Sequence, residues 1–197
     1  MKDAAYIKRE NKAQIRKLLL CGKAYTKQQI SLQTGLSVAS CNTYLNEMES
    51  AGEVIGEKKK LHDVGRNAVF YKLNEDFERI LCIYFELIQG VKSITAAVLS
   101  PIGTLIYQQT WRYDLLDAAV IEQTVSSCLN EFSNVRQIIV GTPSIAENGV
   151  IRHSDIPELE NVPLKAILEE KFQLPVFLAN DMHYKVYGYY RQEHISD

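Results

Sequence analysis

Long apolar runs are missing from this 197-residue chain. None approaches the roughly 20 residues a helix needs to cross a bilayer, and the opening residues, MKDAAYIKRENK, are too polar for a secretory leader. A cytoplasmic protein with no membrane contact is the expectation. Cysteine is scarce as well. The four, Cys21, Cys41, Cys82 and Cys128, contain no C-x-x-C pair, so neither a zinc knuckle nor a dithiol redox motif is encoded locally. They read as reduced, mostly buried thiols. His153 and His183 have no third ligand at a suitable spacing, and no metal or cofactor is expected. Repeats and low-complexity segments are absent too.

What is present is an ordinary globular composition, 46% hydrophobic, sufficient for two small domains or one of medium size. The net charge of −2 conceals an uneven distribution: residues 1–73 hold 13 Lys and Arg against 7 Asp and Glu, and the remainder 9 against 17. A basic head therefore precedes an acidic body. Lysine and arginine neutralise phosphates and release counterions, which points the head, and not the body, toward nucleic acid.

Within the head, Thr26–Gly52 reads as two short helices hinged at a glycine. Thr26 is placed to cap a helix over Lys27–Thr34, Gly35 supplies the permissive backbone of the turn, and Ser37 caps a second helix. Val38, Cys41, Leu45 and Met48 recur at helical spacing and are expected in a core, leaving Ala39, Ser40, Thr43, Asn46 and Glu47 on the outer side. A small, polar outer face suits a helix in the major groove. Spacing alone leaves a plain helical hairpin equally open.

The flanking segments favour the DNA reading. Arg9–Cys21 carries Ile15, Leu18 and Leu19 at helical spacing and stops at Gly22, giving a supporting first helix. After Gly52, Val54-Ile55 and Val69-Phe70-Tyr71 read as short strands around a charged loop. Three helices followed by a hairpin form a winged helix, whose loop would carry Lys58, Lys59, Lys60 and Arg66 to the phosphate backbone or minor groove. A solvated hairpin tip is the plainer account of the lysines.

Asn74-Glu75-Asp76 marks the junction, giving domains 1–74 and 75–197. Beyond it, Ile80–Ile88, Ile94–Leu99 and Thr104–Thr110 read as an antiparallel meander. Asp114–Phe132 follows as a helix capped by Asp114 or Asp117, with Leu116, Val120, Val125 and Leu129 on its apolar stripe. Gln137–Gly141 is a buried strand, Pro163–Phe172 a helix and Leu174–Leu178 another strand. This order predicts an α/β domain with a mixed sheet, and an α+β character for the whole chain.

Three blocks resemble the ROK family of sugar-responsive repressors and sugar kinases. ISLQTGLSVASCNTYLNEMESAGEVI with Gly65-Arg66 is similar to the family's winged-helix head. SITAAVLSPIGTLI and Gly141-Thr142-Pro143 are similar to its second and third strands and its G-x-P-G segment, and ENVPLKAILEEKFQLPVFLANDMHYKVYGYY to the stretch ending in an N-D dipeptide. The resemblance implies a winged helix-turn-helix followed by one actin-like, ribonuclease-H-like lobe, with the chain ending soon after the block that closes that lobe.

By the same resemblance, Asp181 stands where the kinases have the general base toward the sugar hydroxyl. The phosphate loop D-x-G-G-T aligns with Ile88-Gln89-Gly90-Val91-Lys92, of which only Gly90 matches. Without the acid and the small residues, magnesium and phosphate lose their holders. The cysteine-rich zinc segment would fall beyond Asp197. A non-enzyme is the expectation, with a degraded or truncated sugar kinase as the alternative. Asn180, Asp181 and His183 are the candidate sugar-binding residues, though Asp155-Ile156 and His183 replace expected asparagines, and an inherited carboxylate without a ligand is the plainer account of Asp181.

On DNA, the family's frequent arginine in the recognition helix is Thr43 here, and its G-R-P wing is Gly65-Arg66-Asn67. The contact set is Ser37, Ala39, Ser40, Asn42, Thr43 and Asn46 with the wing cations. Asn42, Thr43 and Asn46 would read adenine edges or thymine methyls and Arg66 a narrow minor groove, on an A·T-leaning inverted repeat. The expected partners are double-stranded DNA, a second copy of the chain in a homodimer, and a sugar effector. A basic module for a non-DNA acidic partner is a third reading.

Overall fold

The computed structural model describes residues 3–60 and 67–180. The chain divides into two compact units between Phe77 and Glu78.

In the first unit, α1 (Ala4–Leu19), β1 (Tyr25–Thr26), α2 (Lys27–Thr34), α3 (Val38–Ser50), β2 (Val54–Lys60) and β3 (Asn67–Leu73) follow in order. α1 starts five residues before the expected Arg9, because its first two turns are carried on solvent-exposed residues that leave no apolar stripe to read. Ile15 and Leu19 from α1, Ile30 from α2, and Cys41, Leu45 and Met48 from α3 meet with no exposed surface, joined by Val54, Tyr71 and Leu73 of the hairpin. Each fully buried aliphatic side chain contributes about 2 kcal/mol.

The hairpin strands are longer than the two short runs expected. β2 pairs with β3 through Lys60↔Asn67, so Lys58, Lys59 and Lys60 belong to a strand and not to its loop. β1 adds a short third strand against β3, through Tyr25↔Tyr71 and Thr26↔Phe70. Two residues offer no periodicity by which a sequence reading would find it.

The second unit is an α/β layer: β4 (Arg79–Ile88), β5 (Val91–Leu99), β6 (Leu105–Tyr113), α4 (Ala118–Glu131), β7 (Val135–Thr142), β8 (Ile145–Glu147), β9 (Val150–His153), a single 3-10 turn (Pro157–Leu159), α5 (Leu164–Phe172) and β10 (Val176–Asn180). Its five-stranded sheet has the order β10-β7-β4-β5-β6. β4, β5 and β6 form the antiparallel meander, and β7 and β10 run parallel to β4 and to each other. This is the mixed sheet anticipated.

Alternate residues of β4, Leu81, Ile83 and Phe85, face a core closed by Ile121 and Val125 of α4 and Leu164 and Leu168 of α5. α4 begins later than Asp114: Asp117 is the cap, accepting from Val120 N at 3.0 Å. Leu116 is buried ahead of the helix. The cysteines are free, Cys41 and Cys128 buried but Cys21 and Cys82 only half-buried. The β8–β9 hairpin was not anticipated. Its Asn148-Gly149 turn, with both φ angles positive at 50° and 81°, carries the N-G signal that would have found it.

Candidate nucleic-acid interface

The turn between α2 and α3 is held by side chains at each of its corners. Thr26 and Gln29 form a reciprocal capping box: Thr26 Oγ1 accepts from Gln29 N at 3.3 Å, and Thr26 N donates to Gln29 Oε1 at 2.8 Å. Gly35 ends α2 with φ at 72°, a left-handed conformation costly to any residue with a Cβ. Ser31 Oγ donates to Leu36 O at 2.6 Å and Thr34 Oγ1 to Ile30 O at 2.7 Å, which fixes the exit of the chain from α2. Ser37 Oγ then accepts from Ser40 N at 3.1 Å and starts α3.

α3 presents Ser37, Ala39, Asn42, Thr43 and Asn46 to solvent, with Ser40 half-buried. Two parts of the expected pattern change. Val38 is 48% exposed and not in the core: it occupies the first helical position, where its side chain leans back toward the cap and has no preceding turn to pack against. Glu47 turns away from the outer face, its two carboxylate oxygens each 2.8 Å from Lys8 and Lys12 of α1. These lysines, Lys12 most strongly, hold its carboxyl below the ordinary glutamate range.

The outer side chains differ in what they have left to offer. Thr43 Oγ1 donates to Ala39 O at 3.2 Å, and the hydroxyls of Ser37 and Ser40 lie 2.9 Å apart. Asn42 Oδ1 accepts from Lys27 Nζ at 2.5 Å, and that ammonium also stands 5.5 Å from the centre of the Tyr71 ring. Lys27 was not among the anticipated contacts. It ties α2, α3 and the hairpin together beside the outer face.

In the hairpin, Lys58 and Lys59 are exposed. Consecutive residues of a strand point to opposite faces, so they do not form one patch. Lys59 is 3.0 Å from Glu57, which also meets Lys72 at 2.9 Å, and Lys72 followed by Lys59 lowers the pKa of that carboxyl. β2 is anchored to α3 by Gly56 N donating to Glu49 Oε1 at 3.2 Å, and the residue before it, the buried Glu53, to α1 by accepting from Arg16 Nε at 2.5 Å. The side chain of Lys60 and the whole of Arg66 lie outside the described residues.

In the second unit, β7 and β10 end side by side, pairing Gly141 with Ala179 and Thr142 with Asn180. Asn180 Nδ2 donates to Ser144 O at 3.1 Å, and Ser144 Oγ to Ser154 Oγ at 2.8 Å. Thr142 is fully buried, with no hydrogen-bond partner for its hydroxyl among the described residues. The G-x-P segment and the asparagine of the N-D dipeptide are thus brought together, while Asp181 and His183 lie outside the described residues. A cavity of about 740 Å³ nearby is lined by Asn148, Lys165, Glu169 and Phe177, and Asn180 is not in its wall.

The stretch aligned with the phosphate loop is a tight hairpin turn between β4 and β5. Ile88 pairs directly with Val91 across Gln89 and Gly90, whose φ angles are 51° and 80°. Ile88 and Val91 are exposed, and Lys92 is ion-paired to Glu158, which lowers the pKa of that carboxyl, and donates to Asp114 O at 3.2 Å. Among the described residues, no group of three His, Cys, Asp or Glu is arranged to hold a metal ion.

No protein-family profile matches the chain. It is similar to the xylose repressor of Caldicellulosiruptor bescii, 24% identical over 192 residues that cover 92% of this chain and 47% of that protein. A putative xylose repressor of Caldicellulosiruptor sp. (strain Rt8B.4) matches with the same identity and coverage. The chain therefore spans about half the length of the curated relatives it matches. Its fold superposes on the crystal structure of a ROK family transcriptional regulator, a homolog of the E. coli MLC protein, with a TM-score of 0.68 and 19% identity over 89% of this chain and 46% of that one. Both comparisons agree with the resemblance read from the three sequence blocks: the curated relatives are named as repressors, and the fold is that of a ROK family regulator.

Proposed function

We propose that this chain is a sequence-specific DNA-binding regulator of carbohydrate-related genes, acting as a repressor. Residues 1–74 form its winged helix-turn-helix and residues 75–197 a non-catalytic body for dimerisation and effector sensing. The observation that carries the reading is the α2–turn–α3 geometry. A capping box, a left-handed glycine and a serine cap fix a helix whose exposed side is a small polar strip, Ser37, Ala39, Asn42, Thr43 and Asn46, in the basic part of the chain. Lys58, with Lys60 and Arg66, supplies the backbone contacts beside it, while Lys59 points to the other face of β2 and is ion-paired to Glu57.

The operator is an inverted repeat leaning toward A·T. Thr43 lacks the fork that grips guanine, and the exposed Val38 adds an apolar contact suited to a thymine methyl. The effector is a sugar held near Asn180, Asp181 and His183. The relatives' name makes xylose the first one to try, and the buried hydroxyl of Thr142, without a hydrogen-bond partner among the described residues, is consistent with a polar ligand at that end of the sheet.

The test is binding of the chain to the DNA flanking its own gene, with and without xylose, at several salt concentrations. Specific binding that falls steeply with salt and changes its sequence preference in Asn42→Ala supports the proposal. Equal affinity for every sequence, with Asn42→Ala and Arg66→Ala both silent, overturns it in favour of a basic module for another acidic partner.

A further inference from the structure

The sheet of the second unit ends at β6, with no strand beyond it among the described residues. This edge is nine residues long, LIYQQTWRY, where strands of five or six are commonest. Leu105, Ile106, Gln108, Gln109, Thr110 and Arg112 are all exposed. Natural sheets guard such edges with lysines, prolines or bulges, because unpaired N–H and C=O groups recruit another strand. β6 has no proline, one charge at Arg112, and a single register irregularity at its start, opposite Val98-Leu99. The opposite edge, β10, has five residues and lies against β8.

We propose that β6 pairs antiparallel with β6 of a second copy of this chain, about a two-fold axis through Gln109. In that register all nine residues find a partner. Leu105 stands opposite Tyr113, Ile106 opposite Arg112, Tyr107 opposite Trp111, Gln108 opposite Thr110, and Gln109 opposite itself. Tyr107 and Trp111, already packed along the rim of the core, meet twice across the axis, the kind of aromatic cross-strand pair that stabilises a sheet.

Arg112 meets an isoleucine, not its own copy. Sliding the strands by two residues sets glutamine against the aromatics and leaves both ends unpaired. The occupant is a second copy because a two-fold register about Gln109 pairs every residue of the strand, sets the aromatic residues across from each other and keeps the two Arg112 side chains apart, as an isologous interface requires. The inference takes up the dimer of the regulator proposed above and rests on that reading for its purpose only.

The test uses the full chain without DNA, in a Cys21→Ser background. Sedimentation should give twice the 22.4 kDa chain mass at micromolar concentration. Gln109→Cys should oxidise to a covalent dimer, while Leu105→Cys, whose two copies lie at opposite ends of the paired strands, should not. Gln108→Lys sets two lysines near the axis and should give a monomer with unchanged melting. A monomeric parent chain, a dimer that Gln108→Lys leaves intact, or crosslinking at 105 in place of 109 overturns the proposal. DNA binding is judged separately: the Gln108→Lys monomer should still bind a half-site weakly, and loss of all specific binding there would count against the DNA reading.

Discussion

Lys27 Nζ donates to Asn42 Oδ1 at 2.5 Å, joining the first turn of α2 to the exposed side of α3. The bond has a direct consequence for base readout. A bidentate asparagine–adenine contact uses both the amide oxygen and the amide nitrogen, and here one of the oxygen's two lone pairs already serves a lysine, which fixes the orientation of the amide.

Lys27→Ala should therefore change sequence preference and not only affinity. With the lysine gone the Asn42 amide is no longer held in one orientation, and selection from random DNA should return an altered preference at the position it reads. Loss of the lysine charge also lowers affinity on every sequence and reduces the salt slope by about one unit. A uniform loss with an unchanged consensus would show that Asn42 does not read a base.

Gly56 is the point where β2 meets α3. A Cβ there would stand 2.7 Å from Glu49 Oε1, 3.1 Å from Val69 and 3.2 Å from Tyr71. Gly56→Ala should swing the flexible Glu49 side chain aside, lose the Gly56 N–H bond to it, make Val69 and Tyr71 give by a few tenths of an ångström, and destabilise the head by about 1 kcal/mol. Gly56→Ala with Glu49→Ala should recover part of the loss, because the shorter side chain vacates the contact. Chemical denaturation of both variants and of Glu49→Ala alone gives the coupling between them.

These relationships show what the sequence could and could not convey. The caps at Thr26 and Ser37 and the stop at Gly35 were legible because each depends on one residue type at one position, whatever the rest of the chain does. The meander and the two later strands of the mixed sheet were legible from apolar runs cut by turns, while the β8–β9 hairpin was not. Val38 was misassigned because helical spacing places it on the apolar stripe without showing that the stripe has run past the core. Lys27–Asn42 joins residues 15 apart on different helices, and only the crossing of α2 and α3 brings them together. The lysine run read as loop because charge outweighed strand propensity, although its pairing with Asn67–Leu73 gives β2 its length.

Glu47 links α3 to α1 and makes the head sensitive to acid. Hydrogen bonds from Lys12 and Lys8 hold its carboxyl below the ordinary value. Since the folded head binds that proton less tightly than the unfolded chain, the contribution is complete above the unfolded value of about 4.3 and is lost as pH falls through the lower folded one. Melting of the head between pH 6 and pH 3 should fall more steeply in the parent chain than in Glu47→Gln. The difference should be modest and should shrink with added salt, because the pair is exposed. Parallel curves would place the acid sensitivity elsewhere.

Lys92 bears on catalysis. It stands where the kinases of the ROK family have the threonine of their phosphate loop, and it is spent internally, on Glu158 and on the carbonyl of Asp114. Four residues earlier, the position of the metal-side acid is filled by Ile88, which flanks a two-residue turn too tight to wrap a phosphate. Phosphoryl transfer depends almost entirely on positioned charge around the transferred group, and this corner offers a neutralised lysine and two exposed aliphatic side chains. Millimolar ATP with magnesium should leave the melting temperature unchanged, and no ATP-dependent phosphorylation of xylose or glucose should be detectable. Lys92→Thr should weaken the hold on the 3-10 turn at Pro157–Leu159 without creating nucleotide binding, since it restores neither the acid nor the second glycine. Turnover in the parent chain that disappears in Asp181→Asn would overturn this and make the body a working kinase lobe.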